Sequence, residues 1–407
     1  MAEVTERIWP VFQARRTFRI AAAVGAIGLA VTAIGIAVEP QRALLGYLAM
    51  YSAVTSTAIG VLVLLLIGHV ANARWPAPLR RLHESVTIVF PALVVLFLPI
   101  ALGLDHIYEW ADPASELTGP ARRMLEEKRA YLAPVPFVLR ALLYLGAFTL
   151  TAELLRRWSR QRDTAAPADE PRTADLAHDP LRRERVFAAA MLPVVGLAVT
   201  FAGFDWVMSL QPLWYSSMFG VYYFAGGFVA GIAVVVFLAW RMRCGPTAMP
   251  LHGPLFHALG RMMLAFTVFW TYTAYFQGFL IQIADRPAEV TFYLTRLVHG
   301  WDVLLAFVVA LRFVVPFGLL LPRSLKFQPW FMATVAGIIV VGHLLDSFWL
   351  VVPSRGAALG VSPFDLAALA GIAGACVALS AWRQRGVPIV PLGDPYLHDG
   401  LRYESPT

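Results

Sequence analysis

The chain has 407 residues, 58% of them hydrophobic and only 14% charged, with a mean hydropathy of +0.64. Apolar runs recur along its whole length, which excludes a soluble globular domain and a protein held by one anchor, and leaves the polytopic membrane class. The net charge of +7 does not call for nucleic acid, because a bias of Lys and Arg toward one side of a membrane accounts for most of the excess.

A hydrocarbon core of ~30 Å needs about 20 apolar residues per helix. Ten segments qualify, at 18–38, 43–70, 85–104, 132–155, 186–210, 219–240, 262–283, 301–321, 329–351 and 363–382. The polar stretch 1–17 precedes the first segment, and Glu39-Pro40 follows it in place of a small-residue cleavage site, so that segment reads as a retained helix rather than a removed signal peptide. With the N-terminus inside, Lys and Arg of the inner segments outnumber those of the outer ones about threefold, which predicts that both termini are cytoplasmic. The expected organisation is a cytoplasmic segment 1–17, helices one to four over 18–155, a cytoplasmic linker 156–185 rich in Ala, Pro and charge, helices five to ten over 186–382, and a cytoplasmic tail 383–407. The tail carries Pro388, Pro391, Gly393 and Pro395 and is expected to be extended, either solvated or strapped to a partner. The outer loop 105–131 contains the amphipathic stretch PARRMLEEKRAYL, which lies on a membrane or partner or else is a solvated connector.

Polar residues in the apolar segments carry the functional information. Arg140 and Arg312 sit within stretches otherwise long enough to cross a bilayer, where a guanidinium costs at least ~2.5 kcal/mol, so each is expected to face a bundle interior and a partner. Asp205 closes segment five between aromatic residues, either as a proton acceptor at the mouth of a bundle or as an interfacial cap. His343 and Asp346 lie three residues apart on one helical face, a proton relay or a helix–helix hydrogen bond. Thr271, Thr273, Gln277 and Gln282 in segment seven are packing glue or ligands. Glu84 has ion-pair spacing to Arg80, giving a surface salt bridge; if Glu84 and Glu153 instead face the interior, they form an inner proton inlet. Ordered by depth, Asp205, Gln277, His343, Asp346 and Asp365 fall in the outer half, Arg140 and Arg312 nearer the middle, and Glu84 and Glu153 inside, as a proton path requires.

The two cysteines, Cys244 and Cys376, form no CxxC or CxxCH, which argues against an iron–sulfur cluster or c-type haem in this chain. A b-type haem would want facing histidines, and only His69 and His343 fall within segments, near opposite faces. Glycines such as Gly226, Gly227 and Gly231 point to close helix packing.

Several long motifs in order, FDWVMSLQPLWYSSMFGVYYFAG, LGRMMLAFTVFWTYTAYFQGFLIQIA, RFVVPFGLLLPRSLKF and HLLDSFWLVVP, resemble the NrfD/PsrC-like membrane subunits. The resemblance is closest to the ActF-type subunit of alternative complex III, a quinol:electron-acceptor oxidoreductase, and extends from WPAPLRRLHESVTIVFPALVVLFLPI and IYEW to the tail PLGDPYLHDGL. It implies an all-α polytopic protein of about ten transmembrane helices, built as two four-helix bundles plus peripheral helices in a bacterial inner membrane. It further implies no cofactor bound by this chain, quinol as substrate, and assembly with iron–sulfur and multihaem cytochrome subunits on the outer face and with a paralogous membrane subunit. The candidate quinol and proton residues are then Asp205, His343, Asp346 and Gln277, with Arg140, Arg312, Glu84 and Glu153 along a proton path. The quinol-oxidising paralogue tends to carry a histidine after the DW pair, where this chain reads Gln211-Pro212-Leu213-Trp214. The alternatives are a secondary transporter or ion channel acting alone, and a structural paralogue with no quinone site.

Overall fold

Ten helices long and apolar enough to cross a membrane dominate the computed structural model, which describes residues 11–12, 14–113, 119–165, 181–244, 249 and 251–405. They are α1 (Arg15–Val38), α2 (Pro40–Val70), α3 (Ala77–Leu102), α4 (Pro134–Thr164), α5 (Arg182–Leu210), α6 (Phe219–Cys244), α7 (Gly253–Ala284), α8 (Trp301–Leu320), α9 (Pro329–Arg355) and α10 (Pro363–Arg383). Each matches one predicted segment. No strand occurs among the described residues beyond an isolated bridge between Val11 and Pro388. This is an all-α, multi-pass architecture, and helices let a span satisfy most of its backbone polar groups internally.

Two closed four-helix groups form the body. Helices α2 to α5 pack in a ring, as do α6 to α9, and the rings join where α2 runs beside α6 and α9. Buried on most sides, α2, α6 and α9 form the centre, whereas α1, α7 and α8 present most of their surface outward. Outside the rings, α1 and α10 cross closely enough that a Cβ added to Gly374 would stand 2.6 Å from the Cα of Gly25, so only glycine fits. The even number of crossings brings both described chain ends to one end of the bundle, called the terminal end below; the opposite one is the far end.

The structure refines three local expectations. Most of the predicted linker 156–185 lies outside the described residues, but its flanks are helical: α4 continues to Thr164 and α5 already begins at Arg182. Arginine and glutamine are good helix formers, so a helix need not stop where its apolar stretch stops. In the far-end loop, Gly119–Glu127 is a short helix. The tail is not free. Val387, Ile389 and Val390 are buried, Phe12 N–H bonds to the Val387 carbonyl at 3.0 Å, Gly393 N–H bonds to Asp163 Oδ1 at 3.0 Å, and Asp394 pairs with Arg80. Arg80 is buried and needs a counter-ion, which the tail supplies by folding across the terminal ends of the helices.

Candidate functional site

Each four-helix group places an arginine of its third helix against an aspartate of its fourth. In the first, Arg140 on α4 binds Asp205 on α5 with both carboxylate oxygens, Nε to Oδ2 at 2.8 Å and Nη2 to Oδ1 at 3.1 Å. Tyr144, one turn along α4, donates to the same carboxylate at 3.0 Å, and the guanidinium lies 3.8 Å from the centre of the Tyr131 ring. Tyr131, outside the spans, has its hydroxyl pKa raised by burial and then by the adjacent Asp205 carboxylate. Aromatic side chains close the surroundings: Tyr51 and Phe97 pack on Trp206, and Tyr108, Trp110 and Phe97 on Phe137. Asp205 is fully buried.

The second pair is built differently. Arg312 lies in a π-helical turn, Ala310–Val314, four residues before Pro316. Proline has no N–H to give and its ring crowds the carbonyl four residues back, so the helix widens there. The Arg312 side chain enters through a gap left by two glycines: a Cβ on Gly342 would lie 2.8 Å from its Cγ, and one on Gly226 3.1 Å from Nη2. Its guanidinium stacks 4.1 Å over Trp270 and lies 3.5 Å from Asp346 Oδ2 and 2.5 Å from His343 Nδ1. Tyr222 on α6 donates to Asp346 Oδ1 at 2.5 Å. Because arginine only donates, His343 Nδ1 must accept, which puts the imidazole proton on Nε2, 3.0 Å from Ser56 Oγ on α2. Ser56 in turn donates to the Ala53 carbonyl at 3.1 Å. All these polar side chains are buried.

Two cavities meet this chain of contacts. A far-end cavity of about 650 Å³ lies among α6 to α9, with Asp346, Tyr222, Trp270, Gln277 and Tyr293 in its wall. A second, of about 560 Å³, lies toward the terminal end between α2, α3, α6, α9 and α10, with His343 at its inner limit and Arg241, Ser380 and Gln384 toward the helix ends. Asp346 thus faces one cavity and His343, less than a turn away, faces the other.

No family model matches the chain, and no curated protein matches it. The chemistry of the site rests on its own geometry. In the far-end cavity Gln277 Oε1 accepts from Ser216 at 3.3 Å and Gln277 Nε2 donates to Tyr293 OH at 3.4 Å. The indole N–H of Trp270 has no hydrogen-bond partner among the described residues. Behind the Phe292 wall, fully buried Arg296 stacks 3.7 Å over that ring and donates to the carbonyls of Phe292 and Leu350 at 2.9 and 2.7 Å. Burial without a carboxylate pushes its pKa down to about 9, so it stays charged at neutral pH. Burial likewise raises the Tyr293 hydroxyl. The cavity is therefore apolar, positively biased and furnished with donors at one end, the pattern of a small-molecule site. Among the described residues no group of three or more His, Cys, Asp or Glu side chains could hold a metal ion.

The candidates separate into distinct sites rather than one path. Asp346, His343, Arg312 and Gln277 come together. Asp205 and Arg140 bind each other within the first group and line neither cavity. Arg140 lies in the second turn of α4, near the far end rather than at mid-depth. Glu84 is not a surface residue paired with Arg80: it is buried and pairs with Arg81, three residues away, while Arg80 takes Asp394. Glu153, half-buried, is shared by Arg156 and Arg383. Asp365 caps α10 and binds Arg42. Tyr222, Ser56, Trp270 and Arg296 were not singled out from the sequence. Tyrosine, serine and tryptophan are common in membrane helices, and only lateral packing distinguishes these.

Proposed function

We propose that this chain is an integral membrane subunit of a quinol-oxidising respiratory electron-transfer complex, and that its far-end cavity takes the quinol headgroup. The observation that carries the reading is that one buried chain of contacts, Tyr222–Asp346–Arg312–His343–Ser56, separates two cavities directed to opposite ends of the helices. The resemblance of its ordered motifs to NrfD/PsrC-like subunits supports the reading, as does the size of the cavity.

Oxidising one quinol releases two protons and two electrons. Gln277 and the Tyr293 hydroxyl hold the quinol oxygens; Asp346, oriented by Tyr222, accepts one hydroxyl proton as the general base, and the other leaves to water at the far-end mouth of the cavity. A neutral Asp346 no longer balances Arg312. The guanidinium charge then favours expelling that proton toward the terminal-end cavity: His343 Nδ1 takes it once Arg312 releases the ring, and Nε2 passes its own proton to Ser56. The electrons leave to iron–sulfur and multihaem partner subunits on the far-end face, which is the outer face in this reading; both chain termini are then cytoplasmic. In this assignment Asp205 locks the first helix group and contributes to assembly.

Two cavities on opposite sides of a charged plug also suit a secondary transporter acting alone. Tagging the C-terminus, extracting native membranes in mild detergent and crosslinking with a photoreactive quinone separates the readings. The expected result is co-purification with haem-bearing chains and quinone label on α7 to α9. A colourless chain that purifies alone and catalyses transport in proteoliposomes overturns the respiratory assignment.

A further inference from the structure

The terminal-end half of α4 carries a feature that the quinol reading does not use. This helix runs 31 residues, about 46 Å at 1.5 Å per residue, well beyond a core of ~30 Å. If Pro134 marks the far-end boundary, about twenty residues bring the helix to Glu153, and the stretch from Arg156 to Thr164 projects into the headgroup zone. A groove of about 480 Å³ follows this face, with Leu150 and Leu154 on the core side and Arg156, Arg157 and Arg160 beyond them.

Its charges are unbalanced. Arg156 and Arg383 share the single carboxylate of Glu153. Arg157 and Arg160 form no ion pair with any described residue, and the nearby carboxylates Glu84 and Asp163 are both taken by Arg81. Leu150 and Arg157 are exposed, so an apolar strip continues directly into a cationic one.

We propose that this groove binds an anionic phospholipid, its phosphate held by Arg157 and Arg160 and an acyl chain lying along Leu150 and Leu154. Guanidinium groups match phosphate oxygens bidentately, and basic pockets at helix ends recognise lipid headgroups in this way. The leucines decide the class of ligand, because a free phosphate or a soluble acidic peptide would leave them uncovered. The site is independent of the quinol cavity.

The test is lipid analysis of the full chain purified in its native assembly, comparing wild type with Arg157→Gln/Arg160→Gln. Each surface arginine is expected to contribute about fivefold to retention of an anionic lipid, roughly 25-fold for the two. Wild type should retain phosphatidylglycerol or cardiolipin through purification, the double variant should lose it, and retained zwitterionic lipid should not change. Arg122→Gln, at the far end, controls for general loss of charge and should keep the anionic lipid. The proposal is overturned if the double variant keeps anionic lipid at the wild-type level, if Arg122→Gln loses as much, or if wild type holds zwitterionic lipid equally tightly.

Discussion

Replacing Asp346 by asparagine removes one charge from a buried site while conserving volume. In the native protein its carboxylate accepts from Tyr222 at 2.5 Å and faces Arg312 at 3.5 Å, with both charged side chains almost free of solvent. Removing one partner of a buried pair costs about 3–5 kcal/mol, because the other charge is left without a counter-ion. Trp270 beneath the guanidinium offsets about 1–2 kcal/mol of this, leaving a loss of roughly 1–4 kcal/mol in stability. Such a loss lowers the amount of assembled protein but not the turnover of what is assembled. Loss of a general base is separate and lowers turnover by about 10²–10⁴. Quinol oxidation normalised to haem in the purified assembly distinguishes the two, and a 100-fold or greater fall per assembled complex is expected. Arg312→Leu/Asp346→Leu removes the whole pair and should recover much of the stability, since an apolar replacement of both partners is close to neutral, but none of the turnover. Turnover per complex within threefold of wild type in Asp346→Asn would refute the assignment of Asp346 as the base.

Ser56→Ala removes the acceptor that fixes the His343 Nε2 proton; turnover per complex should fall about tenfold or more, the scale of a lost positioning contact to a proton-transfer group, with stability lower by about 1 kcal/mol. Normal turnover would exclude His343 from the relay. Asp205→Asn leaves Arg140 without its carboxylate, and because Arg140 is about one-fifth exposed the loss should be only about 2–3 kcal/mol, seen as lower yield and melting temperature with unchanged turnover per complex. A large fall in turnover there would move the proton acceptor to the first helix group. Asp394→Ala strands the buried Arg80 beneath the tail and should cost about 3–5 kcal/mol, read as loss of assembled protein and ready proteolysis of the tail. A variant with wild-type melting and proteolysis would mean that the tail is not held by this pair.

The ten crossings were legible because each is a local property, about twenty consecutive apolar residues, and so was the demand that two arginines find partners. Which partners they find was not legible. A sequence supplies depth along each helix, whereas Arg140 meets Asp205 across 65 residues and Arg312 meets Asp346 only through the lateral arrangement of α8 and α9. Depth alone therefore does not separate Arg140 with Asp205 from Arg312 with Asp346, which lie in different helix groups. Glu84 shows the same gap at short range: spacings of both three and four residues offered an arginine, and the tail, 310 residues further on, decided the choice by supplying Asp394 to Arg80. Gly226 was read as a packing residue, yet it makes room for a guanidinium. Nothing local marks Arg296, which lies between spans, where a charged residue is ordinarily solvated.

The two helix groups repeat a device that the sequence hides. Both begin at the same end of the bundle, and both place an arginine from the third helix against an aspartate from the fourth. Around the arginines the chain reads Leu139-Arg140 and Leu311-Arg312, each followed by a glycine six residues after the arginine, Gly146 and Gly318. A charge pair common to both groups cannot by itself distinguish their roles; its surroundings must. In the first group the carboxylate takes Arg140 on both oxygens and Tyr144 besides, and aromatic side chains pack on the neighbouring Trp206 and Phe137. In the second, the carboxylate has a single tyrosine hydroxyl and a guanidinium at 3.5 Å, a cavity on one side and a histidine leading to another cavity on the other. The bidentate pair of Arg140 and fully buried Asp205 suits a permanent lock. In the proposed relay, the longer Arg312–Asp346 contact would let the carboxylate exchange a proton while its cation remains in place, and a gain and loss of charge at Asp346 would reach His343 without dismantling the bundle.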